Sequence, residues 1–281
     1  MTAERPTPPS EQAVAGDPTP PVTPPALETR GLTKTFGGLR AVDDVSVSLP
    51  AGQRRAIIGP NGAGKTTLFN LVAGQLRPTH GTVRLFGEDV TALAPPRRAR
   101  TGLARTFQIT NLMADLSVHE NALLAVAAQR PRTRWTFWRP LSRIGAVAEP
   151  AERLLRTWEL WGARDRRVSE LAYGQQRVLE IVLALAAEPR LLLLDEPTAG
   201  LSRPDAERTV EVARGLPPAL TLVIIEHDMD VAFRLGDVVQ VMVDGAVLAT
   251  GEPDEVQRDP EVIAAYLGAQ PGSDDRGPRG E

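Results

Sequence analysis

The 281-residue chain has no cysteine. Disulfides and thiolate metal sites are excluded, and a reducing compartment is permitted. Lysine is nearly absent, standing only at Lys34 and Lys65. In an arginine-based composition, a lysine inside a glycine-rich loop gains some weight. No apolar run approaches the roughly 20 residues needed to cross a bilayer. The longest, Ile181–Ala187 and Leu220–Ile225, are of core size. The first residues lack a basic region followed by an apolar stretch, which argues against a secretory signal there. Positive charge is not in surplus either. A net charge of -3 offers no overall field to draw the chain onto nucleic acid.

What is present is ordinary for a globular protein, with 42% apolar and 24% charged residues. Residues 1–26 are rich in Pro, Thr and Ala. They cannot bury enough apolar surface to offset ordering and are expected to form a disordered tail. Residues 269–281 are expected to be a second loose tail. Between them, residues 27–268 read as one domain without internal repeats. Val45, Val47 and Leu49 alternate with serines, as a strand with one wet face does. Arg55–Ile58 reads as a strand, Thr66–Leu76 as a helix, and Val83–Gly87 as another strand. From about residue 95 to 172 the pattern is mainly helical, an inserted subdomain. Leu191–Leu194 and Leu220–Ile225 read as parallel strands covered on both faces. Val238–Val243 and Ala246–Ala249 flank Asp244-Gly245, a hairpin with a tight turn. The fold class expected is an α/β sandwich with the inserted helical subdomain.

Gly59-Pro60-Asn61-Gly62-Ala63-Gly64-Lys65-Thr66 matches G-x-x-x-x-G-K-[ST] between a strand and a helix. Such a phosphate-binding P-loop curls its backbone N–H groups around phosphates, and the helix aims its positive end at them. Lys65 adds a mobile charge. The Thr66 hydroxyl suits Mg²⁺, and Thr67 follows at the same helix start. ATP with Mg²⁺ is the expected ligand. At the end of a buried run, Asp195 is placed to hold the metal shell and Glu196 to act as general base.

Leu171-Ala172-Tyr173-Gly174-Gln175-Gln176 precedes Asp195 by some twenty positions and resembles the signature of the ATP-binding cassette (ABC) family. Gln108 in Arg105-Thr106-Phe107-Gln108 resembles the glutamine loop, which implies contact with metal and reacting phosphate. His227, after Ile224-Ile225-Glu226, resembles the switch histidine. Ala199-Gly200-Leu201-Ser202 resembles the D-loop, and Phe36 stands where the family stacks an aromatic on adenine. The resemblance spans about residues 27–268. It implies a P-loop NTPase core, an antiparallel β subdomain and the helical insertion. It also implies that two cassettes meet head to tail, so Tyr173, Gly174, Gln175 and Ser202 serve ATP held by another subunit. Ala172 stands where serine is usual, Tyr173 where glycine is usual, and Ser202 where aspartate is more usual.

The signature variant, Ala104–Gln108, Ile225–Met229 and the ending Val262–Gly268 are similar to branched-chain amino acid importer ATP-binding subunits. Cassettes for urea, short amides or lipopolysaccharide share parts of this pattern. The expected partners are a second ABC subunit, in a heterodimer or a homodimer, and two membrane permease subunits. A solute-binding protein acts indirectly, and the expected place is peripheral, on the cytoplasmic face of the membrane. A soluble ABC ATPase acting on DNA or ribosomes usually has paired cassettes, a long coiled coil or a basic face, none of which is evident. A non-hydrolysing sensor is disfavoured by Glu196 and His227. Trp135, Trp138, Trp158 and Trp161 all fall in the helical block. Trp158 and Trp161 fit its small core better than a docking surface, while Trp135 and Trp138 fit either. His80 and His119 are expected at the surface.

Overall fold

The structure, a computed structural model, describes residues 23–106, 112–130 and 140–268. In chain order come strands β1 (Leu27–Phe36), β2 (Leu39–Leu49) and β3 (Arg54–Ile58), helix α1 (Lys65–Ala73), and strands β4 (His80–Leu85) and β5 (Glu88–Asp89). Helix α2 (Pro95–Arg100), strand β6 (Leu103–Arg105) and helices α3 (Val118–Ala128), α4 (Gly145–Thr157) and α5 (Tyr173–Ala184) follow. Then come β7 (Leu191–Asp195), α6 (Arg203–Arg214), β8 (Thr221–Ile225), α7 (Met229–Leu235), β9 (Val238–Val243), β10 (Ala246–Gly251), α8 (Pro253–Arg258) and α9 (Pro260–Gly268).

One sheet is antiparallel, in the order β2-β1-β4-β5. The other runs β10-β9-β3-β8-β7-β6 and is parallel except for β10. Every residue of β7 and β8 is buried. Successive strand residues point to opposite faces, so each run serves two cores. Leu191, Leu193, Val223 and Ile225 pack with α1 and the antiparallel sheet. Leu192, Leu194, Leu222 and Ile224 pack with α5 and α6. Burial on both faces explains the unbroken apolar runs. Each leucine contributes roughly 1.5–3 kcal/mol, and together they make the rigid platform that carries Asp195 and Glu196. Helices α3, α4 and α5 share a separate core through Val118, Leu123, Val147, Leu155 and Leu179.

Several expectations shift at their edges. The helix after the glycine loop stops at Ala73, three residues before Leu76. The N–H of Gly74, in the left-handed region, turns back to the carbonyls of Asn70 and Leu71. Arg98, 1% exposed, then covers that helix end. Its Nη1 donates to the Leu71 and Val72 carbonyls, its Nε to Leu93 O and its Nη2 to Thr91 O. Burial pushes its pKa down to about 10, against the opposing charge of Asp89. Gly87 lies in a turn after β4 rather than in the strand. Within the block expected to be mainly helical, Leu103–Arg105 pairs in parallel with β7 as the sheet's edge. Three residues show no period, so only the pairing reveals it.

The Asp244-Gly245 turn is as expected, with both residues at positive φ, 48° and 83°. Ala26, assigned to the tail, is buried and donates its N–H to Leu49 O. Residues 1–22 and 269–281, with Trp135 and Trp138, lie outside the described residues. Trp158 and Trp161 pack half-buried on the cores beneath them, with Arg156 and Arg164 over the Trp161 ring. His80 is exposed, whereas His119 is half-buried edge-on to Trp161. Among the described residues no helix is long and apolar enough to cross a membrane.

Candidate active site

The glycine loop links β3 to α1 and is braced from behind. A Cβ at Gly59 would lie 2.1 Å from Met242 O, and one at Gly64 would lie 2.2 Å from Ala41 O. Both glycines have positive φ, so any side chain there meets backbone as well as strain. The Gly245 N–H donates to Ala63 O, which fastens the β9–β10 turn to the loop. Asn61 and Gly62 are exposed at the tip, Pro60 is half-buried and Ala63 is buried. No acidic residue stands in the first turn of α1, so none within the helix opposes the attraction of its N-terminal N–H groups and dipole for an anion.

Lys65 is buried, and its ammonium donates to Gly59 O at 2.6 Å and to Pro60 O at 3.0 Å. Burial pushes its pKa below the ordinary lysine value, and the charge of Glu196 opposes that shift. Thr66 is exposed at the helix start and Thr67 is half-buried. Phe36 ends β1 with 47% of its surface exposed and Lys34 5.1 Å from its ring. Stacking on a base needs open aromatic surface, and about half of this residue is open while Lys34 lies over the ring. Ala41, on the strand after the Phe36–Leu39 hairpin, touches the loop at Gly64.

The two carboxylates at the end of β7 have different partners. Asp195 Oδ2 pairs with Arg105 Nη2 at 2.7 Å, and Asp195 Oδ1 is buried without a hydrogen-bond partner among the described residues. Glu196 turns away at a φ of 47°, and its Oε1 lies 2.6 Å from His227 Nε2. The predicted base and switch histidine thus meet directly. The orphaned Asp195 oxygen and the exposed Thr66 hydroxyl are hard oxygen donors of the kind Mg²⁺ takes, alongside phosphate oxygens. The residues present therefore fit that cation. Gln108 lies outside the described residues.

A second group stands at the start of α5 and α6. Tyr173 is 45% exposed, with the Arg177 guanidinium 5.3 Å from its ring. Gly174 is buried so close to Asp205 that a Cβ would lie 2.5 Å from that side chain. Gln175 is exposed, and its Oε1 accepts from the Ala172 N–H. Ser202 caps α6, accepting from the Asp205 N–H and donating to Asp205 Oδ2 at 2.6 Å. Its hydroxyl thus has a local task that its sequence position did not suggest.

Two further residues escaped the sequence reading, Arg105 and Glu226. Buried Glu226 accepts from Thr198 N, Thr198 Oγ1 and His227 N. Burial pushes its carboxyl above the usual range, the hydrogen bonds from Thr198 and His227 oppose this, and the charge of Glu196 adds to the rise. The signal was a charge ending an apolar strand, which folded proteins tolerate only with partners.

Residues 42–199 match the family described as ABC transporter, and residues 246–271 match the one described as branched-chain amino acid ATP-binding cassette transporter. The chain is 39% identical over 253 residues to the high-affinity branched-chain amino acid transport ATP-binding protein BraF of Pseudomonas aeruginosa, covering 87% of this chain and 98% of that protein. It is 36% identical to the corresponding LivG protein of Escherichia coli K12, with the same coverage. Among solved structures, an ABC transporter ATP-binding cassette in its ADP conformation superposes with a TM-score of 0.77 at 32% identity, covering 88% of this chain and 100% of that one.

Proposed function

The chain belongs to the ABC transporter family of ATP-binding cassettes, and from that premise we propose that it hydrolyses ATP to drive import of branched-chain or closely related amino acids. The observation that carries the chemistry is the Glu196–His227 contact of 2.6 Å just after the end of β7. Backbone N–H groups of Gly59–Thr66 and the Lys65 ammonium bind and orient the phosphates. Phe36 stacks on the base. Glu196 takes the proton of the attacking water, and His227 holds the carboxylate in place and then bonds the γ-phosphate. Thr66 and Asp195, with Gln108, would hold Mg²⁺, whose charge lowers the barrier at the phosphates.

In this reading Tyr173, Gly174, Gln175 and Ser202 close over the nucleotide of a second cassette, more fittingly a similar subunit than an identical copy. Two membrane permease subunits receive the motion through the helical subdomain, and a solute-binding protein delivers substrate to them. The subunit sits peripherally on the cytoplasmic face. The names of the relatives and the residue 246–271 match support amino acids over urea, amides or lipopolysaccharide. Labelled leucine uptake tests the assignment in cells carrying Lys65→Ala as their copy of this chain. Loss of uptake is expected. Undiminished leucine uptake in cells lacking the chain would overturn the substrate assignment.

A further inference from the structure

We infer that Arg105 is a positioning residue for the Asp195 carboxylate, fixing which of its two oxygens is left to meet a divalent cation. This rests on the proposed role of Asp195 as a magnesium ligand. Arg105 ends the edge strand β6, paired with Leu193 of β7, two residues before Asp195. Its guanidinium fork divides its work. Nη2 holds Asp195 Oδ2 at 2.7 Å, while Nη1 donates to Asn70 Oδ1 at 2.7 Å and to Gln75 Oε1 at 3.0 Å. The Phe69 ring lies 5.7 Å from the guanidinium carbon. Phe69 and Asn70 belong to α1, whose first turn carries Thr66. Arg105 thus ties the two proposed metal ligands, on β7 and α1, into one frame.

Geometry separates positioning from plain charge compensation. An arginine that only neutralised Asp195 would gain most by gripping both oxygens side by side. Here Arg105 takes only Oδ2, and Oδ1 is left buried without a hydrogen-bond partner among the described residues. The second prong is spent on the amides of Asn70 and Gln75 instead. Both side chains of the pair are enclosed, at 8% and 1% exposure, so water does not loosen the contact. A lysine keeps the charge but has no fixed fork to hold a carboxylate and an amide at once.

Removing a partner that orients a metal-ligating side chain typically weakens metal binding by about 10- to 100-fold. The test is a titration of the full chain with a fluorescent ATP analogue, in excess EDTA and across Mg²⁺ concentrations. For Arg105→Met, the EDTA affinity should stay within about twofold of the parental value. The Mg²⁺ concentration giving half of the metal-induced gain should rise about 10- to 100-fold. Arg105→Lys should recover part of that loss. A merely structural role would lower the melting temperature and the EDTA affinity together and leave the Mg²⁺ midpoint alone. An unchanged or lowered midpoint in Arg105→Met would overturn the inference. Asn70→Leu, which keeps the ion pair and removes only the anchor, should raise the midpoint by a smaller factor, and no rise there would also overturn it. Should the parental chain itself gain nothing from Mg²⁺, the metal reading of Asp195 would fall instead.

Discussion

Helices α1 and α5 both aim their N-termini at places where phosphate is expected, and they are built in opposite ways. The start of α1 is braced from behind, although Thr66 is exposed. Lys65 is buried on two loop carbonyls, Ala41, Met242 and Gly245 press on the loop glycines, and Arg98 covers the far end of the helix. The start of α5 is open. Ala172 caps it without a side-chain bond, Tyr173 and Gln175 are exposed, and the Gln175 carboxamide reaches back to the Ala172 N–H. A braced N-terminus with its own buried lysine can bind an anion by itself. An open one offers the same N–H groups to whatever approaches from outside. The difference suits a chain that holds its own nucleotide and completes another subunit's site.

The comparison can be broken at either helix. At α1, Lys65→Ala removes the buried charge and should slow ATP hydrolysis by about 100- to 1,000-fold in a phosphate-release assay. A milder loss would mean that the loop backbone alone carries the phosphate contact. Behind the same helix, Arg98→Met takes the donor from the Val72, Leu93 and Thr91 carbonyls, while Leu71 O keeps the Gly74 N–H, and should cost about 3 kcal/mol. Thermal denaturation should then show a fall of roughly 6–12 °C. At α5, Ala172→Ser supplies the missing cap and completes a capping box with Gln175. It should add about 1 kcal/mol and raise the melting temperature by roughly 2–4 °C. No gain would mean that α5 is already capped.

The smallest effect lies between the helices, at Glu226. Its carboxyl is raised in the fold, so the native state keeps this proton to higher pH than the unfolded chain does. Its contribution to stability is fully present below the ordinary carboxylate range, near pH 4.3, and is lost as pH rises through the raised native value. The melting temperature of the parental protein minus that of Glu226→Gln should therefore fall as pH rises across that window. A difference rising with pH would reverse the assigned sign.

Local pattern made much of this legible. The glycine loop, the apolar runs of β7 and β8 and the Asp244-Gly245 turn each depend on neighbours in the chain, and each lies where its pattern places it. The strand-end positions of Asp195, Glu196 and His227 were legible too, since they follow buried runs. Arg98 and Arg105 were not. Their meaning lies in partners remote in sequence, such as Asp195, 90 residues beyond Arg105, and an arginine-rich block hides a buried arginine among solvated ones. Strand β6 escaped for a related reason, because three residues form a strand only by lying along β7.

The account turns on the separation of holding ATP from hydrolysing it. Glu196→Gln tests this most directly, with nucleotide affinity and phosphate release measured on the same preparation. Affinity should stay within about twofold of the parental value, while release should fall at least about 100-fold, the lower end for loss of a general base. Phosphate release at the parental rate would contradict the assignment of Glu196 and the mechanism built on its contact with His227.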